Sequence, residues 1–70
     1  MRNNYVYYSK VSGYKASHHD NMKCLGFCDL YIFKDNELIC HETLIEPMTF
    51  EEFKQHIDNF KGVEDGTTKD

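Results

Sequence analysis

Apolar residues are grouped in three parts of the chain, which predict a strand, a β-hairpin and a helix. Residues 4–11 are dense in aromatic and β-branched side chains, which favour a half-buried strand. Residues 24–33 and 38–46 are two apolar runs, and Asp35 and Asn36 between them tolerate the left-handed backbone of a tight turn. We therefore predict one strand followed by a β-hairpin.

The turn at Asp35 and Asn36 also predicts which residues of the hairpin face each other. The expected pairs are Phe33 with Leu38, Tyr31 with Cys40, Leu30 with His41, Asp29 with Glu42 and Cys28 with Thr43. One face would then carry Leu25, Phe27, Tyr31 and Phe33, and the other would carry Leu30, Ile32, Ile39 and Ile45.

A helix is predicted after Pro47. Thr49 and Glu52 form a capping box, in which each side chain satisfies a free backbone N–H of the first turn. Aromatic and aliphatic residues then recur at steps of three and four and form one apolar stripe, namely Phe50, Phe53, Ile57 and Phe60. Lys61 and Gly62 are expected to end the helix.

Two stretches lack a regular apolar pattern. Residues 12–23 contain Gly13, Asp20 and Asn21 and little to bury, so a long connection is predicted there. Residues 63–70 offer almost nothing to bury, so a flexible acidic tail is expected. Residues 1–62 are then one domain of the α+β class, with a three-stranded, at least partly antiparallel sheet and one helix on one face. The other face would remain uncovered.

Composition narrows the classes of protein. Ten Phe and Tyr residues in a chain of 70 argue against general disorder. No segment is apolar over the roughly 18 residues that a membrane span needs, and the odd count of three cysteines suits a reducing compartment, so a cytoplasmic protein without membrane attachment is expected. The net charge of −4 combines +3 in residues 1–34 with −7 in residues 35–70, which leaves a basic and an acidic region for partners.

A metal site is the first chemistry that the residue types suggest. His18, His19, Cys24, Cys40 and His41 carry the imidazole and thiol donors that zinc prefers. If Cys24 and Cys28 both lie on the predicted strand, however, they are about 13 Å apart and cannot share one ion. Only a loop that carries the histidines back over the hairpin would assemble a site, so no metal and no cofactor is predicted.

Cysteine catalysis has even weaker support. Cys40 and His41 are neighbours on a strand and point to opposite faces, whereas Cys28 and His41 would share a face in the predicted register. No glycine turn suited to an oxyanion hole and no third orienting group accompanies them. The chain is therefore expected not to be an enzyme.

Tyrosines are the best candidates for a binding surface. Tyr is enriched where proteins meet, and this sequence offers Tyr5, Tyr7, Tyr8, Tyr14 and Tyr31. Aromatic and basic groups also alternate between residues 5 and 15, as in surfaces that bind single-stranded nucleic acid, but the overall acidity opposes that interpretation. The expected function is binding to another protein through the Tyr-rich strand and the uncovered sheet face, and a second copy of the chain is an alternative occupant of that face. The richness in Asn, Lys, Tyr, Phe and Ile is typical of low-GC bacteria and their phages, which suggests an accessory protein that inhibits a host complex. A zinc-stabilised protein or a single-stranded nucleic-acid binder is the alternative.

Overall fold

The fold of the computed structural model is α+β, with four antiparallel strands and one long helix over residues 3–62, the part of the chain that the structure describes. The elements in chain order are β1 (Tyr5–Tyr8), β2 (Lys15–Asn21), α1 (Met22–Leu25), β3 (Phe27–Lys34), β4 (Glu37–Leu44) and α2 (Phe50–Asp58). Each strand pairs with the next one along the chain, so the sheet order is β1-β2-β3-β4. The predicted acidic tail and the first two residues lie outside the described residues.

The prediction of three strands was wrong because residues 12–23 are not a long connection. Residues 15–21 form a strand that pairs with β1 and β3 over its length. Its inward positions are Ala16, His18 and Asp20, of which only Ala16 is an apolar residue, so the strand has no apolar alternation. A short helix follows, which places Cys24 outside the strand that was predicted to hold it.

The hairpin of β3 and β4 has the predicted turn but a different register beyond it. Asp35 and Asn36 have φ values of 52° and 65°, as a type I′ turn requires, and Phe33 faces Leu38 as predicted. A β-bulge then places Ile39 and Cys40 opposite Ile32, and every later pair is shifted by one residue. The remaining predicted pairs were therefore wrong, and those observed are Tyr31 with His41, Leu30 with Glu42, Asp29 with Thr43 and Cys28 with Leu44.

The core lies between α2 and one face of the sheet, here called the inner face. Its buried members are Ala16, Leu30 and Ile32 from the sheet and Phe53 and Ile57 from the helix. The bulge supports this core, since it turns Cys40 and Leu44 inward and sends His41 and Thr43 to the other side.

The capping box of α2 is present as predicted. The Thr49 hydroxyl accepts from the Glu52 N–H at 3.2 Å, and the Glu52 carboxylate accepts from the Thr49 N–H at 3.1 Å. The helix ends at Asp58, earlier than predicted, and Phe60 lies beyond it with its ring 4.9 Å from that of Tyr14. Neither helix in the described part of the chain is long and apolar enough to cross a membrane.

Candidate functional site

The side of the sheet opposite α2, here called the outer face, is a surface with binding character. Alternation along the paired strands assigns thirteen side chains to it. They are Val6, Tyr8, Lys15, Ser17, His19, Asn21, Phe27, Asp29, Tyr31, Phe33, Leu38, His41 and Thr43. Aromatic and aliphatic groups dominate the end near the β3–β4 turn, and polar groups dominate the end near α1.

The predicted interface tyrosines are divided between the two faces. Tyr5 and Tyr7 lie on the inner face, with rings 5.6 and 6.3 Å from that of Phe53. Tyr14 also packs on the core side. Tyr8 and Tyr31 lie on the outer face, so the structure does not bring the five predicted residues together.

Tyr31 lies at the centre of the outer face between two imidazoles. The His41 ring stacks on it at 4.5 Å with an interplanar angle of 11°, and His19 meets it nearly edge-on at 5.6 Å. His41 Nε2 is 2.9 Å from Asp29 Oδ1, and Asn21 donates to the other carboxylate oxygen at 2.8 Å. These contacts hold the rings in place and use both oxygens of Asp29 within the cluster.

A pocket of about 170 Å³ opens at the other end of the outer face, where the β1–β2 loop approaches the β3–β4 turn. It is lined by Tyr8, Gly13, Lys15, Phe33, Asp35 and Asn36. Two aromatic side chains thus share a concave site with an ammonium group and a carboxylate. Lys15 and Phe33 were not predicted as site residues. They become neighbours only when β2 pairs with β3, and the polar sequence of β2 did not predict a strand.

The inner side of β1 is fixed to the end of α2 by one carboxylate. Tyr7 and Ser9 both donate to Asp58 Oδ1, at 2.8 and 2.6 Å. The hydrogen bonds from Ser9 and Tyr7 lower the pKa of Asp58, and the same carboxylate raises the pKa of Tyr7. Ser9 is fully buried and also accepts from the Ser12 N–H, so this group is structural.

The five predicted metal-ligand candidates lie in different places. His18 is buried on the inner face, His19 and His41 are on the outer face, Cys24 is exposed on α1, and Cys40 is half-buried on the inner side. Within residues 3–62 no group of three or more His, Cys, Asp or Glu side chains could hold a metal ion. The loop that would have carried the histidines over the hairpin is instead a strand of the sheet.

Both histidine ring nitrogens of His18 have structural partners. The Met48 N–H donates to Nε2 at 3.2 Å, so Nε2 carries no proton, and Nδ1 donates to the Asn3 carbonyl at 2.6 Å. This imidazole therefore joins β2 to the segment before β1 and to the start of α2.

Cys28 and His41 lie on opposite faces, so the shared face expected from the predicted register was wrong. Burial raises the pKa of the Cys28 thiol, which is 3.8 Å from Asp20 Oδ1. Burial, with Glu42 next in effect, also raises the pKa of the Cys40 thiol. Both groups are thus held as thiols, the less nucleophilic form.

A wider cleft of about 590 Å³ runs along the side of α2 that carries Glu52 and His56 and extends to Met48 and Phe60. Its lining residues come from α2 and the segments flanking it, so it is separate from the outer face.

Comparisons of the chain with known proteins gave no match: no protein-family model, no curated protein and no solved structure matches it. The proposal for its function is therefore based on the geometry of the surfaces described above.

Proposed function

We propose that this chain is a non-catalytic protein-binding module that uses the outer face of its sheet. The observation that supports the proposal is the exposure of apolar side chains on the face of the sheet opposite α2: Val6, Tyr8 and Leu38 are 67%, 58% and 50% exposed. Together with Tyr31 and Phe33 they make a continuous surface of the kind that protein partners cover.

The partner and the setting are part of the same proposal. We propose a cytoplasmic accessory protein of a phage or mobile element, which binds one protein of a host complex and thereby blocks its assembly or activity. The composition supports this origin, and the small fold with one uncovered face supports a role in blocking. A second copy of the chain is the alternative occupant.

The test is affinity capture from lysates of low-GC bacteria, with three versions of the full chain compared by quantitative mass spectrometry. Tyr31→Ala removes the centre of the outer face, and Gln55→Ala changes an exposed residue of α2 as the matched control. The expected result is one protein retained by the wild type and by the control and lost by Tyr31→Ala. Retention of that protein by Tyr31→Ala, or failure to enrich any protein above background, would contradict the proposal.

A nucleic-acid function is the second candidate, because Tyr8, Phe33 and Lys15 lie side by side on an open antiparallel sheet. Asp29, Asp35 and the net charge of −4 act against it by repelling phosphates. Binding of a labelled single-stranded oligonucleotide at low salt, weakening steeply as salt is raised, would favour this candidate. Absence of binding at low salt would exclude it.

A further inference from the structure

The buried His18 imidazole links the start of α2 and the segment before β1 to β2. Its Nδ1–H donates to the Asn3 carbonyl at 2.6 Å, and its Nε2 accepts the Met48 N–H at 3.2 Å. The Asn3 side chain also donates to the Met48 carbonyl at 3.4 Å. One neutral ring therefore holds two segments that are far apart in the chain.

A second proton on His18 acts differently on these two links. Nδ1 carries a proton in both the neutral and the charged ring, so the hydrogen bond to the Asn3 carbonyl is kept. A proton on Nε2 places an N–H group against the Met48 N–H, and a backbone N–H can only donate. The charged ring thus keeps Asn3 and releases Met48.

Asp20 is the charged group that governs how readily His18 takes up this proton. Hydrogen bonds from the backbone of Met22 and Asn3 lower the pKa of Asp20, so its carboxylate keeps its charge in the range where histidine titrates. This charge lies on the same face of β2 and offsets part of the cost of burying an imidazolium. It does not restore the bond at Met48, because its oxygens accept the Asn3 and Met22 N–H groups.

The other elements packed near His18 also contribute titratable groups. They are Tyr5 of β1, Cys28 of β3, Glu42 of β4 and Glu52 of α2. Phenol and thiol groups carry no charge in acid. Glu42 is separated from His18 by Leu30 in the sheet, and the exposed Glu52 carboxylate accepts the Thr49 N–H.

The start of α2 is a part of the fold that can open without unfolding the sheet. Residues 45–50 are exposed except for the half-buried Met48, and the Phe50 ring packs on those of Tyr5 and Tyr7 at 5.4 and 6.2 Å. Segments with few buried contacts open at a lower free energy than the core does. Release of the Met48 N–H would therefore free the first turn of α2 and expose these rings.

We infer that His18 is a pH-sensitive switch, whose neutral form holds the start of α2 on the sheet and whose protonated form lets it open. This switch is independent of the outer face, because His18 lies on the inner face. Opening binds one proton, so it becomes more favourable as the pH falls.

NMR of the full chain between about pH 8 and pH 5, the range in which histidine titrates, tests this switch. Imidazole nitrogen shifts report the protonation of His18 and His19, and hydrogen exchange gives the protection factor of the Met48 amide. As His18 takes up its proton, that protection factor should fall about tenfold per pH unit, because one proton is bound on opening. The amides of β3 should keep their protection, and the titration of His19 should change neither.

His18→Gln and His19→Gln are matched variants of a buried and an exposed residue. Glutamine does not titrate, and its amide oxygen can accept the Met48 N–H, so His18→Gln should make the Met48 protection factor independent of pH in this range. His19→Gln should behave like the wild type. If His18→Gln does not fold, the wild-type titration still tests the coupling of proton uptake to opening.

Four results would overturn the switch. These are proton uptake by His18 with unchanged protection at Met48, a Met48 amide that is unprotected at neutral pH, and pH dependence that persists in folded His18→Gln. The fourth is simultaneous loss of protection in β3, which would show that acid unfolds the whole domain rather than the start of α2.

Discussion

His18 and His19 are neighbours in the chain, but the His18 side chain is buried and the His19 side chain is exposed. Replacing each of them by Phe should therefore change the free energy of unfolding by different amounts. The His18 side chain is fully buried and joins two backbone groups, the Asn3 carbonyl and the Met48 N–H. Phe keeps a ring at that position but leaves both groups without a partner. Each backbone group left without a partner costs about 1–3 kcal/mol, so the loss of both partners in His18→Phe should lower the free energy of unfolding by about 2–6 kcal/mol. His19 is exposed, and His19→Phe should change it by no more than about 0.5 kcal/mol.

Urea unfolding followed by circular dichroism gives both free energies from the midpoint and slope of each transition. His18→Gln should lie between the wild type and His18→Phe, because its amide oxygen can still accept a hydrogen bond. Nitrogen chemical shifts of the wild type should show the proton of His18 on Nδ1. Equal losses for the two Phe variants, or a proton on Nε2, would refute the bridging role.

Three further predictions concern stability. Asp58 has a lowered pKa in the folded state, so its contribution is present above the ordinary Asp pKa of about 4 and is lost as the pH falls through the folded value; urea midpoints measured between pH 2 and 6 should fall more steeply for the wild type than for Asp58→Asn, and parallel curves would contradict this. Asn36→Gly should raise the free energy of unfolding by up to about 1 kcal/mol, because φ at this position is 65° and glycine adopts it without steric cost; a lower denaturation midpoint would count against the turn assignment. Thr49→Ala should lower the free energy of unfolding by about 1 kcal/mol. The double variant Thr49→Ala/Glu52→Ala should lose less than the sum of the two single losses, because the two side chains form one capping box, and full additivity in the double-mutant cycle would argue against that pairing.

The elements with local signals could be predicted from the sequence. Asp35 and Asn36 predicted the turn because both tolerate a positive φ, and Thr49 with Glu52 predicted the helix start because capping involves residues three apart. β2 had no such signal. Its inward positions include His18, whose partners Asn3 and Met48 are 15 and 30 residues away in the chain.

The candidate site could be predicted only in outline. An uncovered sheet face follows from one helix and several strands, and Tyr31 lies on that face, although the pattern left open which of the two faces the helix would cover. The pocket could not be predicted, because Lys15 and Phe33 become neighbours only through the pairing of a strand that reads as a loop. The bulge at Ile39 also places His41 and Cys40 on the faces opposite to those predicted, and no local residue preference predicts a bulge at this position.

The sequence by itself therefore determined the α+β class, the hairpin turn and the start of α2, since these depend on backbone preferences and hydrogen bonds within a few residues. The tertiary structure alone decided that His18 is a buried bridge while His19 lies beside Tyr31 on the outer face. A polar strand is stable when distant backbone groups satisfy its buried side chains, and those groups meet only in the folded chain.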